Sequence, residues 1–181
     1  MTTTLRDPEE QNFDIEKSTM PSHTISCLVR DRPGVLARLS LVFARRGYNI
    51  ESLVVSPGAR GGFSRMTIVC TGAPEILEQI IKQLLKLIDV VQAIDHTGQA
   101  VIATEIALVK ISCGSSDRSE ILQIAEHYHA KVVDFGTESL ILRVYGDSDK
   151  LDTFVELLRP FNIVELVRSG KVLMARGKAA T

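Results

Sequence analysis

Two kinds of hydrophobic spacing alternate along this chain in a regular order. In the stretch 23–30, Ile25, Cys27, Leu28 and Val29 follow one another too closely for one face of a helix, which predicts a strand. Past Asp31-Arg32-Pro33-Gly34 the spacing changes. Val35, Leu36, Leu39, Val42 and Phe43 recur every third or fourth position, with Arg38, Arg45 and Arg46 on the other side, and Gly47 is a suitable C-cap. Strands are predicted at 50–56 and 63–71, joined by Pro57-Gly58-Ala59-Arg60-Gly61-Gly62. Ala73-Pro74 opens a second helix whose apolar face, Ile76, Leu77, Ile80, Ile81, Leu84, Leu85 and Ile88, opposes Glu75, Glu78, Lys82 and Lys86. A short strand at 90–95 follows directly.

After Gly98 the same order returns. A strand is expected at 105–112, then a helix with Asp117 and Glu120 as a capping box and Ile121, Leu122, Ile124, Ala125 and Tyr128 along it. Strands at 130–135 and 139–145 flank the tight turn Gly136-Thr137-Glu138. Ser148 or Asp149 caps a helix bearing Leu151, Phe154, Val155 and Leu158, Pro160 ends it, and 163–168 is the last strand. The fold class is therefore α+β: two tandem βαββαβ ferredoxin-like sandwiches, each with antiparallel strands backed by helices on one face. Their expected bounds are 23–97 and 105–177, with 1–22 a disordered N-terminal arm, 98–104 a linker and 178–181 a tail. Such a sheet leaves one face bare, and the apolar content of 50–55 and of Met66, Ile68 and Cys70 suggests a second subunit as its cover. A homodimer or higher assembly is the expectation.

Composition narrows the function by exclusion. A net charge of −1 and a pI near 6.4 give no basic field for nucleic acid, and 5% aromatics offer little for base stacking. Cys27, Cys70 and Cys113 all fall in or beside predicted strands without a Cys-x-x-Cys pair, as buried thiols in a reducing compartment would. No apolar run reaches the ~20 residues that span a bilayer. Asp7, Glu9, Glu10, Asp14 and Glu16 make the start of the chain too acidic for a transit peptide, so a cytoplasmic protein without membrane contact is expected.

The first strand-to-helix junction carries the candidate chemistry. Pro33 suits the first turn of a helix, and the first N–H groups of that turn lack partners and carry partial positive charge, a seat for a carboxylate. Gly34 lets a ligand approach the backbone, and Asp31 faces an ammonium group. Together they suit a free amino acid. Asp-x-Pro-Gly is equally the composition of an ordinary tight turn. An acylphosphatase-like enzyme would need Arg30 or Arg32 to converge with Asn49 on a phosphate cradle, and the loop lacks the run of backbone donors this takes. His127 and His129 point to different helix faces, so no metal site is expected, and nothing in the sequence marks a catalytic residue or a cofactor of the chain's own.

Beyond that junction, three blocks carry a resemblance. The Asp31-Arg32-Pro33-Gly34 junction, set in a βαββαβ unit, makes the first half similar to an ACT domain; the blocks are Arg46-Gly47-Tyr48-Asn49-Ile50-Glu51-Ser52-Leu53, Ser64-Arg65-Met66-Thr67-Ile68, and Glu78-Gln79-Ile80 leading into Gln83-Leu84-Leu85-Lys86-Leu87-Ile88-Asp89-Val90. More closely they resemble the small regulatory subunit of acetohydroxyacid synthase, also called acetolactate synthase, as do Glu105-Ile106-Ala107-Leu108-Val109-Lys110-Ile111 and Val164-Glu165-Leu166-Val167-Arg168-Ser169-Gly170.

The resemblance implies a non-catalytic subunit that activates a separate catalytic subunit and confers feedback inhibition by valine, leucine or isoleucine in branched-chain amino-acid biosynthesis. Thiamine diphosphate, Mg2+ and FAD would belong to that catalytic partner. Effector contacts would fall on Asp31, Pro33, Gly34, Val35 and Leu36, with Asn49 and Ile50 reaching in from a neighbouring subunit. Arg60, Gly61 and Gly62 are the expected contact with the catalytic partner. Many relatives carry Asn where this chain has Asp31, which keeps an acceptor and removes a donor. The competing expectation is a free-standing ACT-type amino-acid sensor that regulates another enzyme or a transporter.

Overall fold

In the computed structural model the described residues are 21–178 and 181, so most of the expected arm and part of the expected tail lie outside them. The first unit runs β1 (Ser22–Arg30), α1 (Val35–Ala44), β2 (Asn49–Pro57), β3 (Phe63–Thr71), α2 (Pro74–Leu84) and β4 (Val90–Asp95). Its strands form an antiparallel sheet in the order β2-β3-β1-β4. The second unit runs β5 (Val101–Ser112), α3 (Ser115–His127), β6 (Lys131–Phe135), β7 (Ser139–Gly146), α4 (Ser148–Leu158) and β8 (Asn162–Arg168), with the equivalent order β6-β7-β5-β8. The α+β class and the repeated βαββαβ unit are as the periodicity predicts.

Alternation explains each core. Ile25, Cys27 and Val29 of β1 and Met66, Ile68 and Cys70 of β3 point to one face, where they pack with Leu39 and Phe43 of α1 and Leu77, Ile80 and Leu84 of α2. In the second unit Ala107, Val109, Ile111, Leu140, Leu142 and Val144 meet Ile121 and Ala125 of α3 and Leu151, Phe154 and Leu158 of α4. Each fully buried Leu, Ile or Phe contributes about 1.5–3 kcal/mol relative to exposure.

Several expectations are corrected. α2 ends at Leu84 because Lys86 N–H and Leu87 N–H turn back to the Gln83 and Leu84 carbonyls, and this tightening swings Ile88 out of the apolar face to 84% exposure. α3 begins at Ser115 with Gly114 as N-cap and no side-chain cap, so the Asp117–Glu120 box is not made. The cap of α4 is Asp147, whose carboxylate accepts from Lys150 N–H at 2.9 Å, where Ser148 or Asp149 was expected. A further strand, β9 (Val172–Ala175), pairs with Val101–Thr104 of β5, so the stretch 98–104 is only partly a connection.

The bare face of the first sheet also finds an occupant within the chain. Gly170, in the turn between β8 and β9, lies so close to β2 that a Cβ there would be 2.9 Å from Ser52 Cβ and 3.2 Å from Val54 Cγ2. Ser52 and Val54 share their face with Val69 and Thr67 opposite them, and these two are buried. A second subunit is not needed to cover this part of the sheet.

Candidate functional site

The end of β1 and the start of α1 are joined by a type II turn, Arg32-Pro33-Gly34-Val35. Gly34 sits at φ 80°, ψ −3°, the left-handed position this turn requires, and Val35 N–H reaches the Arg32 carbonyl at 3.4 Å. Pro33 fits the second position, where its fixed φ is already correct. It therefore precedes the helix, and Gly34 is the N-cap. At the other end of α1, Gly47 at φ 69° allows Tyr48 N–H to reach the Phe43 carbonyl and Gly47 N–H the Ala44 carbonyl, the bonding of a Schellman cap.

Beside this turn opens a cavity of about 220 Å³ lined by Asp31, Gly34, Val35 and Leu36 together with Val29, Arg30, Arg32, Val55, Ser64 and Met66. Four of the expected effector residues are thus brought together. Pro33 is in the turn but not in the lining. Asn49 and Ile50 are not near: Asn49 lies opposite Thr71 while Val55 lies opposite Met66. At about 3.4 Å per residue along β2 they are roughly 20 Å from the pocket of their own protomer, so only a second copy of the chain can bring them to it.

The chemistry of the lining suits a small zwitterion. Among the described residues nothing accepts from the Gly34 or Leu36 N–H groups, which lie at the positive end of α1, whereas Val35 N–H is already engaged by Arg32. The Asp31 side chain is exposed and has no ionic or hydrogen-bond partner among the described residues. Val55, Met66 and Leu36 supply apolar wall. Sequence reasoning missed Val55, Ser64 and Met66, although the pairing of Val55 with Met66 follows once the β2–β3 register is known.

The pocket rim is held from two sides. Asp31 N–H donates to the Gly62 carbonyl at 2.9 Å, and Gly58 N–H closes the β2–β3 connection on the Phe63 carbonyl at 2.8 Å. The connection carrying Arg60, Gly61 and Gly62 is therefore anchored at its base rather than loose throughout. Across the rim, Arg30 N–H donates to the Asp89 carbonyl at 2.8 Å.

Other candidate groups are structural. Burial pushes the Cys27 and Cys70 thiols up to about 12, which removes them as nucleophiles. His23 bonds the Gly72 carbonyl at 3.0 Å and His96 the Ser26 hydroxyl at 2.8 Å, both buried. No group of three His, Cys, Asp or Glu among the described residues is placed to hold a metal ion, and no described helix is long and apolar enough to cross a membrane.

This fold with a pocket at the first strand-to-helix turn defines an ACT-domain regulatory protein, and residues 25–92 match the model of an AHAS small subunit-like ACT domain. Residues 104–177 match a second model, the small subunit of acetolactate synthase. The chain belongs to the acetolactate synthase small-subunit family, the non-catalytic regulatory subunits of that thiamine-diphosphate-dependent enzyme. It is 43% identical over 157 residues to the acetolactate synthase small subunit of Mycolicibacterium smegmatis, covering 87% of this chain and 92% of that one. To the small subunit of Aquifex aeolicus it is 42% identical over 167 residues, covering 92% and 87%. The crystal structure of the small subunit from Thermotoga maritima superposes with a TM-score of 0.79 at 33% identity, over 88% of this chain and all of that one.

Proposed function

We propose that this chain binds valine, or leucine or isoleucine, in the pocket beside Gly34, and so sets the activity of the acetolactate synthase catalytic subunit with which it associates. The ligand carboxylate sits on the Gly34 and Leu36 N–H groups. Val35 serves as wall because its N–H is already bonded to the Arg32 carbonyl. The ammonium group faces Asp31, and the branched side chain lies against Leu36, Val55 and Met66. In a homodimer, Asn49 and Ile50 of a second copy would complete the pocket. The Arg60-Gly61-Gly62 tip contacts the catalytic subunit, which holds the thiamine diphosphate, Mg2+ and FAD and condenses pyruvate with pyruvate or 2-oxobutyrate in the cytoplasm. Differential binding of only ~1–3 kcal/mol between two arrangements of the complex is enough for such control.

The observation that carries this reading is the cavity of about 220 Å³ at the turn, with N–H groups that have no partner among the described residues beside an exposed carboxylate. The test is reconstitution with the catalytic subunit and acetolactate formation measured against rising valine, leucine and isoleucine. Addition of this chain should raise the rate, and at least one of the three amino acids should lower it again. A rate indifferent to the chain or to all three amino acids overturns the proposal.

A further inference from the structure

Asp89 lines no part of the pocket, yet it holds three of the residues around it. It lies in the short turn between α2 and β4 and is 5% exposed. Its Oδ2 accepts from Arg38 Nη2 at 2.6 Å, its Oδ1 lies 3.9 Å from Arg32 Nη1, and its carbonyl accepts from Arg30 N–H. Arg30 and Arg32 flank Asp31 directly. Arg38 closes the other side: its own N–H donates to the Gly34 carbonyl at 3.1 Å, and its Nη1 lies 3.2 Å from where a Cβ on Gly34 would stand. The guanidinium is therefore laid over the type II turn, and the absence of a side chain at Gly34 is what admits it.

We propose that Asp89 is a positioning residue for this pocket, acting through Arg38 to hold the Gly34 turn in the geometry that receives a ligand carboxylate. The inference rests on the amino-acid-binding reading above. Ion pairs at a surface contribute little, but here the carboxylate is buried and only the arginine is half-exposed, so removal of either partner has a structural consequence. With the pair in place the Gly34 and Leu36 N–H groups are already aimed, and binding does not have to order them. The Arg38 Nη1 edge adds positive charge next to the same seat. Both effects act on the carboxylate end of the ligand and not on its side chain.

The experiment is calorimetry on the full chain with valine and with valinamide, which has the same side chain and ammonium group but no carboxylate. Asp89→Asn, Arg38→Met and the double variant are compared with wild type. Asp89→Asn is expected to raise the Kd for valine roughly tenfold, within the range for residues sharing one network, and to leave valinamide nearly unchanged. Arg38→Met should show the same selective loss, and the double variant should be no worse than the weaker single one. Equal weakening of valine and valinamide, losses that add in the double variant, or unchanged valine binding would each overturn the proposal. Should Asp89→Asn fail to fold, Asp89→Glu, which keeps the charge but moves the carboxylate by one methylene, decides by the same valine-to-valinamide ratio, because it leaves Arg38 itself unchanged. Wild-type protein that binds none of valine, leucine and isoleucine overturns the reading of the pocket itself, whereas wild-type binding with unaltered variants overturns only the role of Asp89.

Discussion

Asp31 N–H donates to the Gly62 carbonyl at 2.9 Å, so the rim of the pocket and the base of the β2–β3 connection are one hydrogen-bonded unit. A ligand that shifts Asp31 shifts Gly62 with it. Replacement of residues 59–61 by a single glycine, which leaves Gly62 in place, should weaken activation of the catalytic subunit while valine binding to the isolated chain persists. Activation assays run beside calorimetry check this, and full activation by the trimmed chain would remove the tip from the interface.

Any side chain at Gly34 is strained. At φ 80° an alanine would sit in a left-handed conformation costing about 1–2 kcal/mol, with its Cβ against the Arg38 guanidinium. Gly34→Ala should lower stability in urea by about that amount and weaken valine several-fold. Gly34→Asp adds a negative charge at the carboxylate seat and should abolish binding. Calorimetry showing wild-type affinity for Gly34→Asp would place the ligand elsewhere.

The second unit is pinned by a charge cluster. Arg168 holds Glu105 through Nε at 3.1 Å and Nη2 at 2.6 Å, and Asp152 through Nη1 at 2.5 Å, while Ser148 donates to Glu105 at 2.5 Å. Glu105 is buried, so Arg168→Met strands its carboxylate and should cost about 3–5 kcal/mol by urea denaturation. Glu105→Gln with Arg168→Met should recover much of that loss.

Burial of Cys27 and Cys70 raises both thiols from 9.0 to about 12. The folded state keeps its protons while the unfolded chain loses them, so this contribution is fully present below pH 9 and is lost as pH rises toward 12. Native protein at pH 8 should leave both thiols unmodified by a disulfide reagent, with reaction following unfolding, and denaturation midpoints should fall above pH 9. Peptide mapping of the modified cysteines separates these two from Cys113.

Strands and helices were legible because burial on one face imposes spacing: Ile25, Cys27 and Val29, or Leu77, Ile80 and Leu84, have no other explanation. Half of the pocket was legible too, since Asp31, Gly34, Val35 and Leu36 are neighbours in sequence. The other half was not. Val55 and Met66 reach it through β2–β3 register, and Asp89 acts from a turn far along the chain. Placing Pro33 inside the helix, where the actual type II turn holds it just outside, misread which N–H groups are free. Strand β9 went unseen because Val172–Ala175 has meaning only beside Val101–Thr104. Whether a second copy brings Asn49 and Ile50 to the pocket depends on contacts that spacing does not encode.

The nearness of Gly170 to Ser52 and Val54 has an implication for how the chain can be dissected. A gene fragment ending after the first repeat would strip Ser52 and Val54 of this neighbour and leave that part of the back of the sheet open to water. The first repeat is therefore not a free-standing cassette: the turn between β8 and β9 of the second serves as part of its cover.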